Sequence, residues 1–216
     1  MRIGLFGGTF NPIHVGHLRS AEEIRELFRL RQIVFVPSAI PPHKDEMEII
    51  SPFHRIEMVN LAIEDNPVFS SSDVEIKRPG KSYSIETINH FKTMHSSDLE
   101  LFFIMGIDTF KDISTWKDYG SLFSCSNFVV TTRPGYQRPK LEGILPLEVV
   151  RDFSYYPEED RLIHISSLSI YFRDITHLDI SSSMIRRRIE GGSSIRYLLP
   201  ERVIEYIQVN GIYRDS

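Results

Sequence analysis

A short apolar strand, a glycine turn and the start of an amphipathic helix follow one another near the beginning of this chain. Ile3–Phe6 has the pattern of a buried strand, Gly7 and Gly8 form the turn, and a helical apolar period opens at about Gly16. Glycines let the backbone approach an anion closely, and the free N–H groups at a helix N-terminus receive it. This segment therefore predicts a phosphate-binding site.

Two histidines, His14 and His17, stand at the entrance of the predicted helix. They are three residues apart and so share a face of it. A zinc site would need a third protein ligand, and no cysteine is near and no His-Glu-x-x-His pattern occurs, which makes zinc a remote alternative. Ordinary structural histidines are a second alternative. Their position directly behind the glycine turn favours contact with a bound phosphate.

Apolar periodicity alternates between strand and helix through most of the chain. This alternation favours a doubly wound α/β domain with a parallel sheet covered on both faces, in which ligands bind beyond the carboxyl ends of the strands. The conspicuous motifs all follow predicted strand ends, so we expect one shared site. Strands are predicted at residues 3–6, 33–37, 68–76, 99–105, 127–132, 162–166 and 175–178, and helices from about residues 16, 51 and 108, at 84–94 and 182–190, and from 200 to about 211.

Local signals predict where two of the helices begin and which faces they bury. Ser51 is placed to cap a helix with Pro52 in its first turn. The predicted inward faces hold Ile56, Val59, Leu61 and Ile63 in that helix, and Ile85 and Ile88 in the next.

The composition narrows the class of protein. At 216 residues, 41% apolar and 25% charged, the chain has the make-up of one globular domain. A net charge of −4 argues against a general binder of nucleic acid or membrane surfaces, and no apolar run is long enough to span a bilayer. The single cysteine, Cys125, excludes an intramolecular disulfide, and with no secretory signal pattern at Met1 we expect a cytoplasmic protein. The oligomeric state stays open, a homo-oligomer included.

A second candidate anion site opens the helix predicted at 182–190. Ser181, Ser182 and Ser183 stand at its start, and Arg186 lies one turn inside it. Hydroxyls and N–H groups at a helix start can bind phosphate oxygens, and a guanidinium reaches them with two parallel donors. Simple capping serines and a solvated run of arginines from Arg186 are the alternative interpretation.

Three common motifs are missing from the sequence. No Gly-x-Gly-x-x-Gly follows a strand, which disfavours a dinucleotide redox enzyme. No Walker sequence occurs, which excludes a P-loop kinase or ATPase. The Gly-x-Ser-x-Gly turn of the α/β hydrolases is absent as well.

A resemblance to a known family rests first on the run from Gly7 to His17. This run resembles the His-x-Gly-His signature of the nucleotidyltransferase superfamily, preceded by Gly-Gly-Thr-Phe as in the bacterial nicotinate-nucleotide adenylyltransferases. Asn11 stands where the family pattern often has Asp. The serine-rich helix start is similar to the family's Ile-Ser-Ser-Thr-x-Ile-Arg motif, with Ser183 in place of Thr. The resemblance spans nearly the whole chain and is weakest at residues 137–175.

The resemblance implies a Rossmann-like nucleotidyltransferase fold of one domain, residues 1–216, with a small C-terminal helical part at about 180–216 that completes an ATP site. It implies transfer of the adenylyl group of ATP to nicotinate mononucleotide, with Mg²⁺ held mainly by ATP phosphates and water and no protein ligand to the metal. Nicotinamide mononucleotide or phosphopantetheine as acceptor, and a non-catalytic nucleotide sensor, are the alternatives.

The resemblance also implies roles for individual residues. Trp116 would stack on the pyridine ring, and backbone N–H groups near Ser84 would bind the carboxylate of nicotinate. A core tryptophan and an exposed loop lysine at Lys44 are the alternative interpretations. The predicted catalytic residues are His14, His17 and Arg186; the predicted ATP-binding residues are Gly7, Gly8, Thr9, Phe10, Gly106, Asp108, Ser181, Ser182 and Ser183; and the predicted mononucleotide-binding residues are Lys44, Ser84, Asp108, Trp116, Lys117 and Arg133.

Overall fold

The computed structural model describes residues 1–40, 49–95, 98–132, 135 and 140–214. Its strands are β1 (Arg2–Gly8), β2 (Gln32–Pro37), β3 (Phe69–Ser71), β4 (Glu100–Gly106), β5 (Asn127–Thr132), β6 (Phe153–Tyr156), β7 (Arg161–His164) and β8 (Ser169–Asp174). Its α-helices are α1 (Val15–Leu27), α2 (Pro52–Ile63), α3 (Val74–Lys77), α4 (Ser84–Met94), α5 (Ile107–Lys111), α6 (Tyr119–Leu122), α7 (Leu147–Val150), α8 (Ser182–Glu190) and α9 (Glu201–Val209). Among these residues no helix is both long and apolar enough to cross a membrane.

The strands form one sheet in the order β3-β2-β1-β4-β5-β8-β7-β6. Neighbours from β3 to β8 are parallel, whereas β7 and β6 are added antiparallel at one edge. β1 is central, with Phe6 beside Phe35 of β2 and Ile104 of β4. The predicted α/β class is confirmed, and the sheet is mixed because of its antiparallel edge. The carboxyl ends of the parallel strands meet at the same side of the molecule.

Alternate residues of the strands supply two apolar clusters, one on each face of the sheet. On one face Leu5 and Phe103 pack with α4, α5 and α6. On the other face Phe6 and Ile104 pack with α1, α2, α8 and α9. Burial of successive strand residues on both faces is what central strands of a parallel sheet require. The doubly wound arrangement is therefore confirmed.

The helix boundaries were predicted more accurately than some strands. α4 and α8 have the predicted limits, and Ser51 caps α2, its Oγ accepting the Phe53 N–H at 3.3 Å. On α2 Val59 and Ile63 are buried as expected, but Ile56 and Leu61 are only partly buried. Met58 and a charged residue, Arg55, take the inward positions instead.

The strand prediction at 68–76 was wrong beyond residue 71. β3 ends at Ser71, Asp73 stands at the N-cap of α3, and the Ser72 hydroxyl accepts the Val74 N–H at 3.4 Å. Ser and Asp side chains offer the backbone local hydrogen bonds that compete with a sheet. The short helix α3 that follows contains Glu75.

The strand prediction at 175–178 was also wrong. The strand here is β8, which ends at Asp174 beside Thr132, the last residue of β5. β8 ends where β5, its parallel partner, ends. Beyond that point the Thr176 N–H donates to Glu23 Oε2 at 2.9 Å and not to a strand. The end of β8 is therefore set by its pairing with β5, a strand far away in the sequence, and the local apolar pattern does not predict it.

Candidate active site

A cavity of about 960 Å³ lies at the carboxyl ends of the parallel strands. Two predicted residues, Lys44 and Arg133, lie outside the described residues. The cavity is lined by every other residue predicted to bind or react: Gly7, Gly8, Thr9, Phe10, His14, His17, Ser84, Gly106, Asp108, Trp116, Lys117, Ser181, Ser182, Ser183 and Arg186. We call the part formed by residues 7–17 and 181–186 the glycine-turn end, and the part formed by residues 82–84 and 116–117 the tryptophan end.

The turn after β1 needs its glycine because of an adjacent buried ring. A Cβ at Gly8 would lie 2.8 Å from the Phe10 ring. Phe10 is 2% exposed and adopts a left-handed backbone conformation, with φ of 47°. Its ring is fixed in edge contacts with Phe35 and His17. A non-glycine residue persists in that conformation only where its surroundings determine it, so this turn is preformed.

The two histidines at the start of α1 are stacked, with ring centroids 3.7 Å apart. The His14 backbone N–H donates to His17 Nδ1 at 3.2 Å. Because that nitrogen accepts, a neutral His17 carries its proton on Nε2. His17 also lines the cavity, so its ring has a defined tautomer beside the glycine turn.

His14 is almost fully buried at the N-cap of α1 and lines the same cavity. Its Nδ1 has no hydrogen-bond partner among the described residues. Burial disfavours the charged imidazolium and lowers the pKa of His14 to about 4. The imidazole is therefore neutral at pH 7 in this structure.

The start of α8 contacts the first loop directly. Ser181 caps the helix, its Oγ accepting the Met184 N–H at 3.2 Å. The Ser182 hydroxyl donates to the Pro12 carbonyl at 2.8 Å, and Arg186 Nη1 donates to the Asn11 carbonyl at 2.9 Å. The N-terminus of α8 and the N-terminus of α1 thus open into one cavity, and both attract anions.

Sequence reasoning missed Arg55, which supports the glycine-turn end from behind. Its side chain is 0% exposed, and burial lowers its pKa to about 10, so it stays charged at neutral pH. The guanidinium donates to three carbonyls, those of Thr9 at 2.8 Å, Ala39 at 3.0 Å and Ile50 at 3.1 Å. The available signal was a charged residue in the apolar stripe of α2, three and four residues before Met58 and Val59.

The tryptophan end is built from the start of α4 and the turn after α5. Trp116 is half-buried, with its ring edge-on to Phe103 at 6.2 Å. Lys117 is exposed, and its Nζ donates to Glu86 Oε1 at 2.7 Å, which raises the pKa of the lysine. Ser84 is the first residue of α4, where backbone N–H groups lack helical partners.

A buried acid, Glu75, also lines the cavity and was missed from the sequence. Burial raises the pKa of its carboxyl group, while hydrogen bonds from Thr87 and Ser82 oppose that effect. Thr87 Oγ1 donates at 2.6 Å, and Ser82 Oγ also accepts the Ala39 N–H at 2.8 Å. Glu75 therefore holds the segment that leads into α4.

The carboxylates of the cavity do not form a metal site by themselves. Asp108 lies in the first turn of α5, is exposed, and pairs with Lys111 at 3.6 Å. Within the described part of the chain no three His, Cys, Asp or Glu side chains are grouped to hold a metal ion. This donor set fits a divalent cation that a substrate's phosphates bring with them.

The geometry suits a reaction between two phosphate esters. The glycine-turn end offers backbone N–H groups, two helix N-termini, an imidazole donor and a guanidinium for phosphate oxygens. The tryptophan end offers an aromatic ring and a helix start for a flat, anionic group. Both ends open into one cavity, so two ligands can lie in contact within it.

Comparison with known proteins agrees with this geometry. Residues 5–188 match the model of the cytidylyltransferase-like family. A protein of Geobacter sp. (strain M21) named probable nicotinate-nucleotide adenylyltransferase is 48% identical over 216 residues, covering 100% of both chains. A protein of the same name from Geotalea uraniireducens (strain Rf4) is 49% identical over 216 residues, again with 100% of both covered.

A solved structure shares the fold at low sequence identity. It is the Plasmodium falciparum nicotinic acid mononucleotide adenylyltransferase complexed with NaAD, with a TM-score of 0.72, 19% identity, and coverage of 98% of this chain and 97% of that one. At this identity the likeness concerns the fold alone. On the family model and the full-length relatives, the chain belongs to the cytidylyltransferase-like family and, within it, to the nicotinate-nucleotide adenylyltransferases.

Proposed function

We propose that this protein transfers the adenylyl group of ATP to nicotinate mononucleotide, forming nicotinate adenine dinucleotide and pyrophosphate, a step of NAD biosynthesis. The observation that carries the proposal is the single cavity that joins a phosphate-binding turn to an aromatic end. Full-length relatives at 48% and 49% identity that bear the name of this activity support it.

The reaction needs positioning more than acid–base chemistry. A phosphate oxygen of the mononucleotide attacks the α-phosphorus of ATP, a new P–O bond forms, and the bond to the bridging oxygen breaks with its electron pair leaving on pyrophosphate. The attacking phosphate, with a second pKa of about 6, is already mostly dianionic at neutral pH. The difficulty is that two anions repel each other, so the site must hold them in line and stabilise the growing charge.

At the glycine-turn end we assign phosphate contacts to the predicted residues. The N–H groups of Gly8, Thr9 and Phe10 face the phosphates from the turn after β1. His17 donates from Nε2, since its Nδ1 is occupied by the His14 N–H. His14 stacks on that ring and lines the cavity beside it.

The remaining contacts with the nucleotide come from α8, the helix that follows β8, and from glycines at the carboxyl ends of β1 and β4. Ser181, Ser182 and Ser183 present the N-terminus of α8 to the triphosphate, and Arg186 reaches the same group from one turn inside the helix. Gly7 and Gly106 let the nucleotide approach the strand ends closely.

At the tryptophan end we assign contacts to the mononucleotide. Trp116 stacks on the pyridine ring, and the backbone N–H groups at Ser84 and Lys117 receive the carboxylate of nicotinate. Asp108, exposed at the start of α5, binds ribose hydroxyls. Lys44 and Arg133 belong to this set as predictions from the sequence.

Nucleotidyltransferases generally use a divalent metal ion, and we propose Mg²⁺ here. It neutralises phosphate charge when it enters with ATP, and we assign it no protein ligand. We propose further that residues 1–216 act as one domain in the cytoplasm on small molecules and have no nucleic-acid partner, since a net charge of −4 argues against a general nucleic-acid binder. The contacts of Ser182 and Arg186 with the first loop support one domain.

The test is an acceptor panel. ATP, Mg²⁺ and the purified protein are incubated with nicotinate mononucleotide, nicotinamide mononucleotide or phosphopantetheine, and pyrophosphate release is measured. We expect the highest kcat/KM with nicotinate mononucleotide. A clear preference for phosphopantetheine would assign a different acceptor, and binding of ATP with no pyrophosphate release from any acceptor would indicate a nucleotide sensor.

A further inference from the structure

The loop after β1 is held through its oxygen atoms by four donors from distant parts of the chain. These contacts occupy acceptors of residues 9–12, the segment that follows the glycine turn. The donors and acceptors are Arg55 Nη1 to Thr9 O at 2.8 Å, Arg186 Nη1 to Asn11 O at 2.9 Å, Ser182 Oγ to Pro12 O at 2.8 Å, and Tyr213 OH to Asn11 Oδ1 at 2.8 Å.

Tyr213 is the most distant of these donors, because it lies beyond the last helix, α9. Gly211, with φ of 62°, turns the chain back, and Ile212 anchors it in the core at 7% exposure. Tyr213 itself has a φ of 63°, a left-handed conformation that costs free energy for a tyrosine. The chain is thus bent with strain so that the phenol reaches the loop.

The phenol is suited to be a permanent donor. Burial raises the pKa of Tyr213, although the nearby charges of Arg186 and Arg55 act in the opposite direction. The hydroxyl therefore keeps its proton at neutral pH. Its acceptor, the Asn11 side chain, is 4% exposed, and Asn11 lines the cavity. The same residue receives Arg186 at its carbonyl, so one asparagine connects the tail to the phosphate-binding arginine.

We propose that Tyr213 is a positioning residue for adenylyl transfer, which acts by fixing Asn11 and, through its carbonyl, the guanidinium of Arg186. This inference rests on the proposed function. Tyr213 lies behind the loop and acts on the phosphates only through Asn11 and Arg186. This role for Tyr213 extends the site to the C-terminal tail, which lies outside the phosphate-binding motifs.

The test compares two phenol deletions in the C-terminal part of the chain. Tyr213→Phe removes only the hydroxyl, and Tyr206→Phe is the matched control, because its hydroxyl pairs with His54 at 2.9 Å away from the cavity. We expect Tyr213→Phe to lower kcat three- to tenfold, the scale of one net hydrogen bond. Tyr206→Phe should leave kcat at the wild-type value. A Tyr213→Phe variant that loses melting temperature but keeps kcat would overturn the proposal.

A double-mutant cycle identifies the route of the effect. In the background of Asn11→Ala, adding Tyr213→Phe should change kcat less than twofold, because the acceptor of its hydroxyl is gone. A full three- to tenfold loss in that background would show that Tyr213 does not act through Asn11.

A binding measurement separates this proposal from the proposed function. The Kd of pyrophosphate in the presence of Mg²⁺ should rise three- to tenfold in Tyr213→Phe and not in Tyr206→Phe. If the wild type releases no pyrophosphate with any acceptor, the proposed function fails while this measurement still decides the role of Tyr213. An unchanged Kd together with an unchanged kcat refutes the inference.

Discussion

The glycine-turn end of the cavity is held by buried polar side chains that contact the backbone, whereas Lys117 at the tryptophan end is exposed and pairs with another charged side chain. Arg55 and His14 are 0% and 6% exposed, and Arg55 donates to three main-chain carbonyls. At the other end Lys117 and Arg78 both pair with Glu86, at 2.7 Å and 3.2 Å. Surface ion pairs of this kind contribute little to stability.

The difference matches two tasks. Holding the triphosphate of ATP and the phosphate of the mononucleotide in line needs donors placed before the substrates arrive, and a loop fixed by buried hydrogen bonds gives that preorganisation. Recognition of a pyridine ring needs a surface that accommodates one flat group and rejects its close analogues. We therefore expect substitutions at the glycine-turn end to change kcat, and substitutions at the tryptophan end to change KM or selectivity.

The largest effect is expected at the glycine-turn end. His17→Ala should lower kcat roughly 10²-fold or more with little change in the KM for ATP, because it removes a donor that acts on the transition state. Steady-state pyrophosphate release measures both constants. His54→Ala is the matched control, since this imidazole binds Tyr206 away from the cavity. If His17→Ala keeps the wild-type kcat, the ring has a structural role. The expected division, with kcat effects at the glycine-turn end and KM effects at the tryptophan end, would then be wrong.

The second effect concerns selectivity at the tryptophan end. The nicotinate carboxylate accepts from two donors, whereas the amide of nicotinamide must direct an NH₂ group toward one of them. An unpaired buried donor costs roughly 1–3 kcal/mol, so the acid should be preferred about ten- to a hundredfold in kcat/KM. Because the proposed donors are backbone N–H groups, Ser84→Ala should largely preserve this ratio. Equal kcat/KM for the two mononucleotides would instead indicate an adenylyltransferase of broader specificity.

The third effect tests burial at the glycine-turn end through pH. The pKa of His14 is about 4 in the folded protein and about 6.5 when unfolded, so above pH 6.5 the group does not alter stability. Below pH 6.5 this histidine takes up a proton in the unfolded chain but not in the folded one. The free energy of unfolding therefore falls by about 2 kcal/mol by pH 5. Urea unfolding at pH 7.5 and pH 5 measures this loss, and His14→Gln should reduce it by that amount. Equal losses in both proteins would contradict the buried, neutral assignment.

The sequence predicts the fold and the contiguous motifs well because their signals are local. The limits of α8 follow from the serines before it and Gly191 after it, and the same segment carries Ser181 and Arg186 into the site. The end of β8 follows from its pairing with β5, which no local pattern encodes. The antiparallel edge likewise depends on which strands meet in space.

The supporting residues of the site were missed for a related reason. Arg55 and Tyr213 contact segments far along the chain, at Thr9 and Asn11, and Glu75 accepts from Thr87 in the next helix. In the sequence each is an ordinary polar residue with polar or charged residues close by, a pattern that also describes many solvent-exposed side chains. Apart from the position of Arg55 in the apolar stripe of α2, only their contacts distinguish them, and contacts are a property of the folded chain.

The smallest effect is expected from the aromatic ring itself. Trp116→Ala should raise the KM for nicotinate mononucleotide about tenfold while the KM for ATP barely changes, since loss of one aromatic stack costs about 1–3 kcal/mol. Trp116 also packs edge-on against Phe103, so the melting temperature must be measured beside the kinetics. Trp116→Phe, which keeps a stacking ring, should restore most of the affinity. If both KM values rise together and the melting temperature falls, the residue is an ordinary part of the core, and the two ends of the cavity would not differ in the way that their burial suggests.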